Sequence, residues 1–176
     1  MKYFIYCALS LVMLSSTSCK EKRKAKNYNQ ETNVGQDGIN FIVKALEGSA
    51  TEIKVANLAL TRAANPRVKA FAQMMITDHT RAAYELKGIA SNKRVTTIDV
   101  ISPEHEKMIT DLSVNKKAKF DKAYMQMMLA DHKETITLFK GATHYNSSKL
   151  KRFADETLPT LQMHLDSAVA INNSLK

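Results

Sequence analysis

From Asp37 to the C-terminus, apolar residues recur every three to four positions, with no sustained alternation of the kind a strand needs. The whole chain has only 5 Gly and 3 Pro to interrupt that rhythm. A chain patterned in this way folds as helices that bury one stripe each, so the expected class is all-α. Four long helices are predicted. The first runs from about Gly38 to Ala64, capped by Asp37, with Ile39, Ile42, Leu46, Ile53 and Leu60 inward. The second runs from Pro66 to Ser91, since Asn65 can cap it and Pro66 suits the first helical position, where its missing donor is not needed. The third spans about Lys117 to His144, and the fourth about Ser147 to Asn173, with Pro159 removing one intrahelical donor and bending it.

Between the second and third helices lie residues 92–116, with another cap-and-proline start at Ser102-Pro103 and a short helix to about Leu112. That connection is far longer than a tight antiparallel turn requires. The favoured topology is therefore a four-helix bundle with a long crossover that makes helices 2 and 3 parallel.

The first residues lie apart from this domain. "MKYFIYCALSLVMLSSTSC" carries Lys2, an apolar run from Tyr3 to Leu14, and small residues before Cys19. This is the pattern of a secretory signal, and its apolar run is too short for a bilayer that needs about 20 residues. "SSTSC" resembles a bacterial lipoprotein cleavage box, which makes residues 1–18 a signal peptide and Cys19 the acylated first residue of the mature protein. Cys7 leaves with the signal, so the mature chain can form no internal disulfide.

The formal charge is +9, and it becomes +8 without Lys2, the one charged residue of 1–18. Five basic residues, Lys20, Lys22, Arg23, Lys24 and Lys26, stand beside Glu21 in a polar stretch without apolar periodicity. Residues 19–36 read as a flexible basic tether that meets anionic membrane surface. Nucleic acid is not an expected partner, because the tether lacks interleaved aromatics and the chain is exported. The folded domain is expected over residues 37–176.

One motif occurs twice. "KAFAQMMITDH", ending at His79, returns as "KAYMQMMLADH", ending at His132, with seven of eleven positions identical at an offset of 53 residues. The inward seams place His79, His132 and His164 on three different helices. With Glu52 on the first helix, all lie within four residues of their helix midpoints. At about 1.5 Å per residue that is roughly 6 Å, so the four side chains can share one layer. Such groups, buried without partners, cost roughly 1–3 kcal/mol each, so the layer must be hydrogen-bonded internally, hydrated or coordinated to a cation.

Glu52 with the three histidines suits Zn(II), Cu(II) or Fe(II). Met75 and Met128 each sit four residues before a histidine and so share its face, and a two-thioether, two-imidazole set suits Cu(I). The plain reading of these methionines is core filling. Asp78 and Asp131 point about 100° away from the adjacent histidine. Each can orient an imidazole of a neighbouring helix, and Asp78 can equally pair with Arg81 on the surface.

The Glu-x-x-His signature of di-iron bundles is absent, since Ile76, Leu129 and Leu161 stand three residues before the histidines. His105 and His144 fall at helix ends and are expected in solvent. No Ser-His-Asp set, phosphate loop or CxxC pair marks an enzyme.

The blocks "EIKVANLALTRAANPRVKAFAQMMITDH", "FDKAYMQMMLADHKETITLF" and "KRFADETLPTLQMHL", in that order, resemble a bacterial family of predicted outer-membrane proteins. That family is a domain of unknown function grouped with ferritin-like bundles, and the likeness covers about residues 38–172. Glu52, Asp78, His79, Asp131, His132, Leu158, Pro159 and His164 occupy its motif positions, and Ala56 replaces a frequent glycine. The resemblance implies a ferritin-like bundle exported to the envelope, anchored at the outer membrane. It implies no activity. Two readings stand: a transition-metal site built on Glu52, His79, His132 and His164, or a structural or partner-binding lipoprotein whose histidines form a buried hydrogen-bond network.

Overall fold

The computed structural model describes residues 34–98 and 100–175. The signal segment, Cys19 and the tether up to residue 33 lie outside the described residues. Among the described residues there are five helices and no strand: α1 (Gln36–Arg62), α2 (Pro66–Asn92), α3 (Pro103–Ser113), α4 (Ala118–Ala142) and α5 (Ser148–Ser174). The chain is an all-α helical bundle.

The helix starts follow local chemistry. Asn65 accepts a hydrogen bond from Arg67 N ahead of α2, and Ser102 accepts one from His105 N ahead of α3, each with proline at the first helical position. At α1 the structure departs from the expected cap. Gly35 precedes the helix, and Asp37 sits inside the first turn, where its charge faces the positive end of the helix dipole. The reason is packing: Val34 folds back over Gly38 and is itself buried, so the packed chain begins ahead of Asp37. A Cβ at Gly38 would stand 2.5 Å from Val34 Cγ1 and 3.0 Å from Leu150 Cδ1, so no larger residue fits there without displacement. Pro159 lies inside α5, on its exposed side, and the helix continues across it.

Helix α1 packs on α2 and α4, and α5 packs on α4 and α2, which closes a ring of four long helices. Helix α3 lies against α1 and α4. The direction of α4 is fixed by Asp121, whose carboxylate accepts hydrogen bonds from Ala64 N at 3.0 Å and Asn65 N at 2.9 Å. The start of α4 therefore meets the corner between α1 and α2. The segment through α3 carries the chain back along the length of α2, and α2 and α4 run in the same direction. The return is tied to α1. Lys54 Nζ lies 2.7 and 2.8 Å from the Glu106 oxygens, and Glu47 Oε1 accepts from Ser102 N at 2.9 Å and lies 3.0 Å from His105 Nδ1. His105 is thus paired with a carboxylate on α1 rather than free in solvent.

Two apolar clusters fill the ring. One contains Val55, Ala59, Phe71, Met75, Tyr124, Met128 and Ile171; the other contains Phe41, Leu46, Leu86, Phe139, Phe153 and Leu161. Phe41 anchors the second, with ring centroids 5.0 Å from Phe139 and 6.4 Å from Phe153. Between the clusters the buried side chains turn polar: Thr51, Glu52, His79, His132 and His164.

Asp121→Asn tests the corner. The new amide turns a donor toward one of two backbone N–H groups in a site where Asp121 is 2% exposed. Thermal or denaturant unfolding should report a loss of about 2 kcal/mol, and an unchanged stability would show that the corner does not depend on this carboxylate.

Candidate metal centre

The seams of α2, α4 and α5 each deliver one imidazole to the polar layer, and α1 delivers Glu52. All four are sealed, with exposures of 3% for Glu52, 4% for His79, 0% for His132 and 1% for His164. The three ring centroids form a nearly equilateral triangle with sides of 5.4, 5.5 and 5.8 Å. One ring nitrogen from each histidine lies within 4.8 Å of the others.

Oxygen acceptors assign the ring hydrogens. His79 Nδ1 donates to Glu52 Oε2 at 2.8 Å. His132 Nδ1 donates to the Met128 carbonyl at 2.9 Å and lies 3.4 Å from Glu52 Oε1. His164 Nε2 donates to Asp78 Oδ2 at 3.0 Å. The nitrogens left over are His79 Nε2, His132 Nε2 and His164 Nδ1. His132 Nε2 and His164 Nδ1 are 3.4 Å apart, and with their outward hydrogens in place both carry lone pairs. His79 Nε2 is buried with no hydrogen-bond partner, and so is Glu52 Oε1.

The charges follow from burial and proximity. Burial opposes ionisation of Glu52, but the His79 charge and hydrogen bond outweigh it and hold the carboxyl below the usual range. For His79, burial works against the charged ring and Glu52 more than compensates, so its pKa is raised. His132 and His164 are pushed down, first by burial and then by the neighbouring imidazoles, despite the acceptors beside them. These shifts favour charge on the Glu52–His79 pair and the neutral form of His132 and His164. His79 Nε2 has no hydrogen-bond partner in either state: as an N–H it lacks an acceptor, and as a bare nitrogen it leaves a buried lone pair.

The structure distributes the sequence candidates as follows. His79, His132 and His164 converge. Glu52 meets the outward nitrogens of His79 and His132, so it orients rings and supplies charge instead of facing the gap. Asp78 does both things the sequence allowed, accepting from His164 and lying 3.2 Å from Arg81 Nη2. Asp131 makes no side-chain hydrogen bond to an imidazole among the described residues. Met75 and Met128 are fully buried in the first apolar cluster, and the contact Met128 makes with His132 is through its backbone carbonyl.

Two polar groups escaped the sequence reading. The hydroxyls of Tyr124 and Thr51 are buried without partners, and burial together with the Glu52 charge pushes the Tyr124 phenol up. The signal was present in the repeat, where Tyr124 replaces Phe71 of the first copy. Also unforeseen is a cavity of about 380 Å³ that reaches Glu52, Asp78, His79 and His164 from the Phe41 side, between walls that include Leu86, Phe139 and Phe153.

Asp131 gives the site a pH signature. Burial first, then the charges of Glu52 and Glu134, push its carboxyl up to about 7 from 3.8, with His105 opposing them. The folded pKa lies above the unfolded one, so the folded chain keeps a proton that the unfolded chain releases, and stability is lost as pH rises from about 4 to about 7. Asp131→Asn should match the wild-type melting temperature near pH 4 and exceed it by several degrees at pH 8. A gap that does not widen with pH would contradict this assignment.

The crystal structure of a DUF305 fragment from Deinococcus radiodurans superposes on the chain with a TM-score of 0.73, covering 80% of this chain and 98% of that one at 15% sequence identity. At that identity the likeness speaks to the fold. No curated protein matches the chain in sequence. The family described as domain of unknown function DUF4142 matches residues 23–171, and the chain belongs to that family.

Proposed function

We propose that this protein is a lipid-anchored envelope protein whose ferritin-like four-helix bundle, with α3 in the crossover, binds one transition-metal ion through His79, His132 and His164. The observation that carries the reading is the direction of the imidazoles. Each ring spends one nitrogen on an oxygen acceptor and leaves the other for a shared, buried gap. Outward acceptors of this sort fix ring orientation and raise ligand basicity at metal sites. The 3.4 Å between His132 Nε2 and His164 Nδ1 also matches the ligand–ligand edge of about 3.3 Å in a tetrahedron with bonds of about 2.05 Å. Three neutral imidazoles suit Zn(II), Cu(II) or Fe(II), and Glu52 offsets part of the ion's charge. Storage of the metal, or protection of the envelope from it, is the corresponding role.

A second reading has its own support. The Glu52–His79 and Asp78–His164 pairs satisfy half of the layer without a cation, as a structural or partner-binding lipoprotein would need. The purified chain, equilibrated with Zn(II) or Cu(II) and freed of excess, decides between them. The metal reading expects about one ion per chain and its loss in the His79→Ala/His132→Ala double variant. Equal and negligible metal in both would leave the network reading.

No helix among the described residues is long and apolar enough to cross a membrane. The proposed anchor is the acyl group on Cys19, read from the cleavage-box pattern before it, with the basic tether meeting anionic lipid. Cys19→Ser should move the protein from the membrane fraction to the soluble envelope fraction and abolish fatty-acid labelling. Retention of label would place the acyl group elsewhere.

A further inference from the structure

The histidine triangle has two unlike sides. Toward α1 Val55, the side chains one turn away are apolar and packed: Met75, Met128 and Phe71, whose ring centroid is 6.5 Å from that of His164. On the other side lies the cavity of about 380 Å³, which touches His79 and His164 directly and reaches the surface beside Lys44, Arg81, Glu85 and Glu156. A volume of that size is an order of magnitude above one water's share of about 30 Å³. Its lining includes His79 and Glu52, whose Nε2 and Oε1 have no hydrogen-bond partner, each on a side chain more than nine-tenths buried.

Building on the metal reading, we infer that the cavity gives the ion an exchangeable fourth ligand position, taken by water or hydroxide and open to a small monovalent anion. Three protein ligands with one open position distinguish reactive or exchangeable sites from structural ones, which are closed by four. The charge balance selects the class of ligand. A divalent ion among three neutral imidazoles, with Glu52 and the Asp78–Arg81 pair beside it, leaves one positive charge at the floor of a cavity walled by Leu86, Phe139 and Phe153. One anion neutralises it in surroundings of low dielectric. The ion is thus accessible to a ligand rather than locked in the core.

Cobalt(II) and azide test this. The full chain loaded with Co(II) should show visible d–d bands that shift saturably on azide addition, with one azide per cobalt. Gly48 lines the cavity, and a Cβ there meets nothing within 4 Å, so Gly48→Phe places a ring in the cavity without a clash at the backbone. That variant should still take up cobalt and lose azide affinity by about tenfold or more. Should it lose cobalt as well, Thr160→Phe enters the same cavity from α5 and gives the same readout. Cobalt-loaded wild type with bands indifferent to azide overturns the open position while leaving the metal reading intact. Filled-cavity variants that titrate like wild type overturn the cavity as its route. Failure of wild type to take up cobalt or zinc overturns the metal reading itself, and the open position with it.

Discussion

A carboxylate sealed in the middle of a helical bundle can stay ionised only if a positive charge and a hydrogen bond reach it, and here both come from His79, 2.8 Å from Glu52 Oε2. The desolvation cost of such a pair is large, and breaking one partner costs more than removing both. The pair therefore fixes the sliding register of α1 on α2, since a slide of one turn in either direction would set Glu52 against Met75 or Ala82 instead of His79. The same register brings Glu52 Oε1 within 3.4 Å of His132 Nδ1 on α4. The ring hydrogens, the inward lone pairs and the gap between them all follow from where that one carboxylate sits.

The polar layer also divides the core. Phe41 and its aromatic neighbours pack on one side, and Phe71, Met75, Tyr124 and Met128 on the other, and each cluster would pack without the layer. An apolar layer of similar volume would avoid the desolvation cost altogether. The chain instead leaves Thr51 Oγ1, Glu52 Oε1 and His79 Nε2 without hydrogen-bond partners in the layer, and Tyr124 Oη beside it. Buried polar atoms are nearly always paired in native proteins, so unpaired ones in the middle of the bundle are the exception that an all-apolar core would not create.

Much of this was legible in the sequence, and the limits have physical causes. Three-to-four periodicity placed the helices to within a few residues, and counting from helix midpoints put His79, His132, His164 and Glu52 at one depth, because rise per residue is nearly constant in helices. The start of α1 was not legible, since the fold-back of Val34 over Gly38 is a tertiary contact with no local signature. Partner choice was also hidden. Spacing says that Asp78 points about 100° from His79, but which helix stands in that direction depends on the order around the ring. The part of Glu52 escaped for a similar reason: depth places a side chain in a layer, whereas the choice between facing the gap and facing an outward ring nitrogen is set by rotamers of neighbours.

The repeat explains the remaining asymmetry. Helices α2 and α4 lie diagonally across the ring and run the same way, so an approximate two-fold axis along the bundle exchanges them and exchanges α1 with α5. Under that exchange His79 maps to His132, Asp78 to Asp131, and the layer position of Glu52 on α1 to that of His164 on α5. Asp78 faces His164 and accepts its hydrogen; its counterpart Asp131 is turned toward the side of the ring that holds Glu52, where a carboxylate stands in place of an imidazole. One motif thus gives two outcomes: an Asp78 hydrogen-bonded to His164, and an Asp131 pushed up to about 7 by burial and then by Glu52. A fully symmetric layer would have presented four neutral rings and no counter-charge. With Glu52 in place of one of them the layer carries a negative charge, which adds to burial in raising Asp131 on the other copy of the motif.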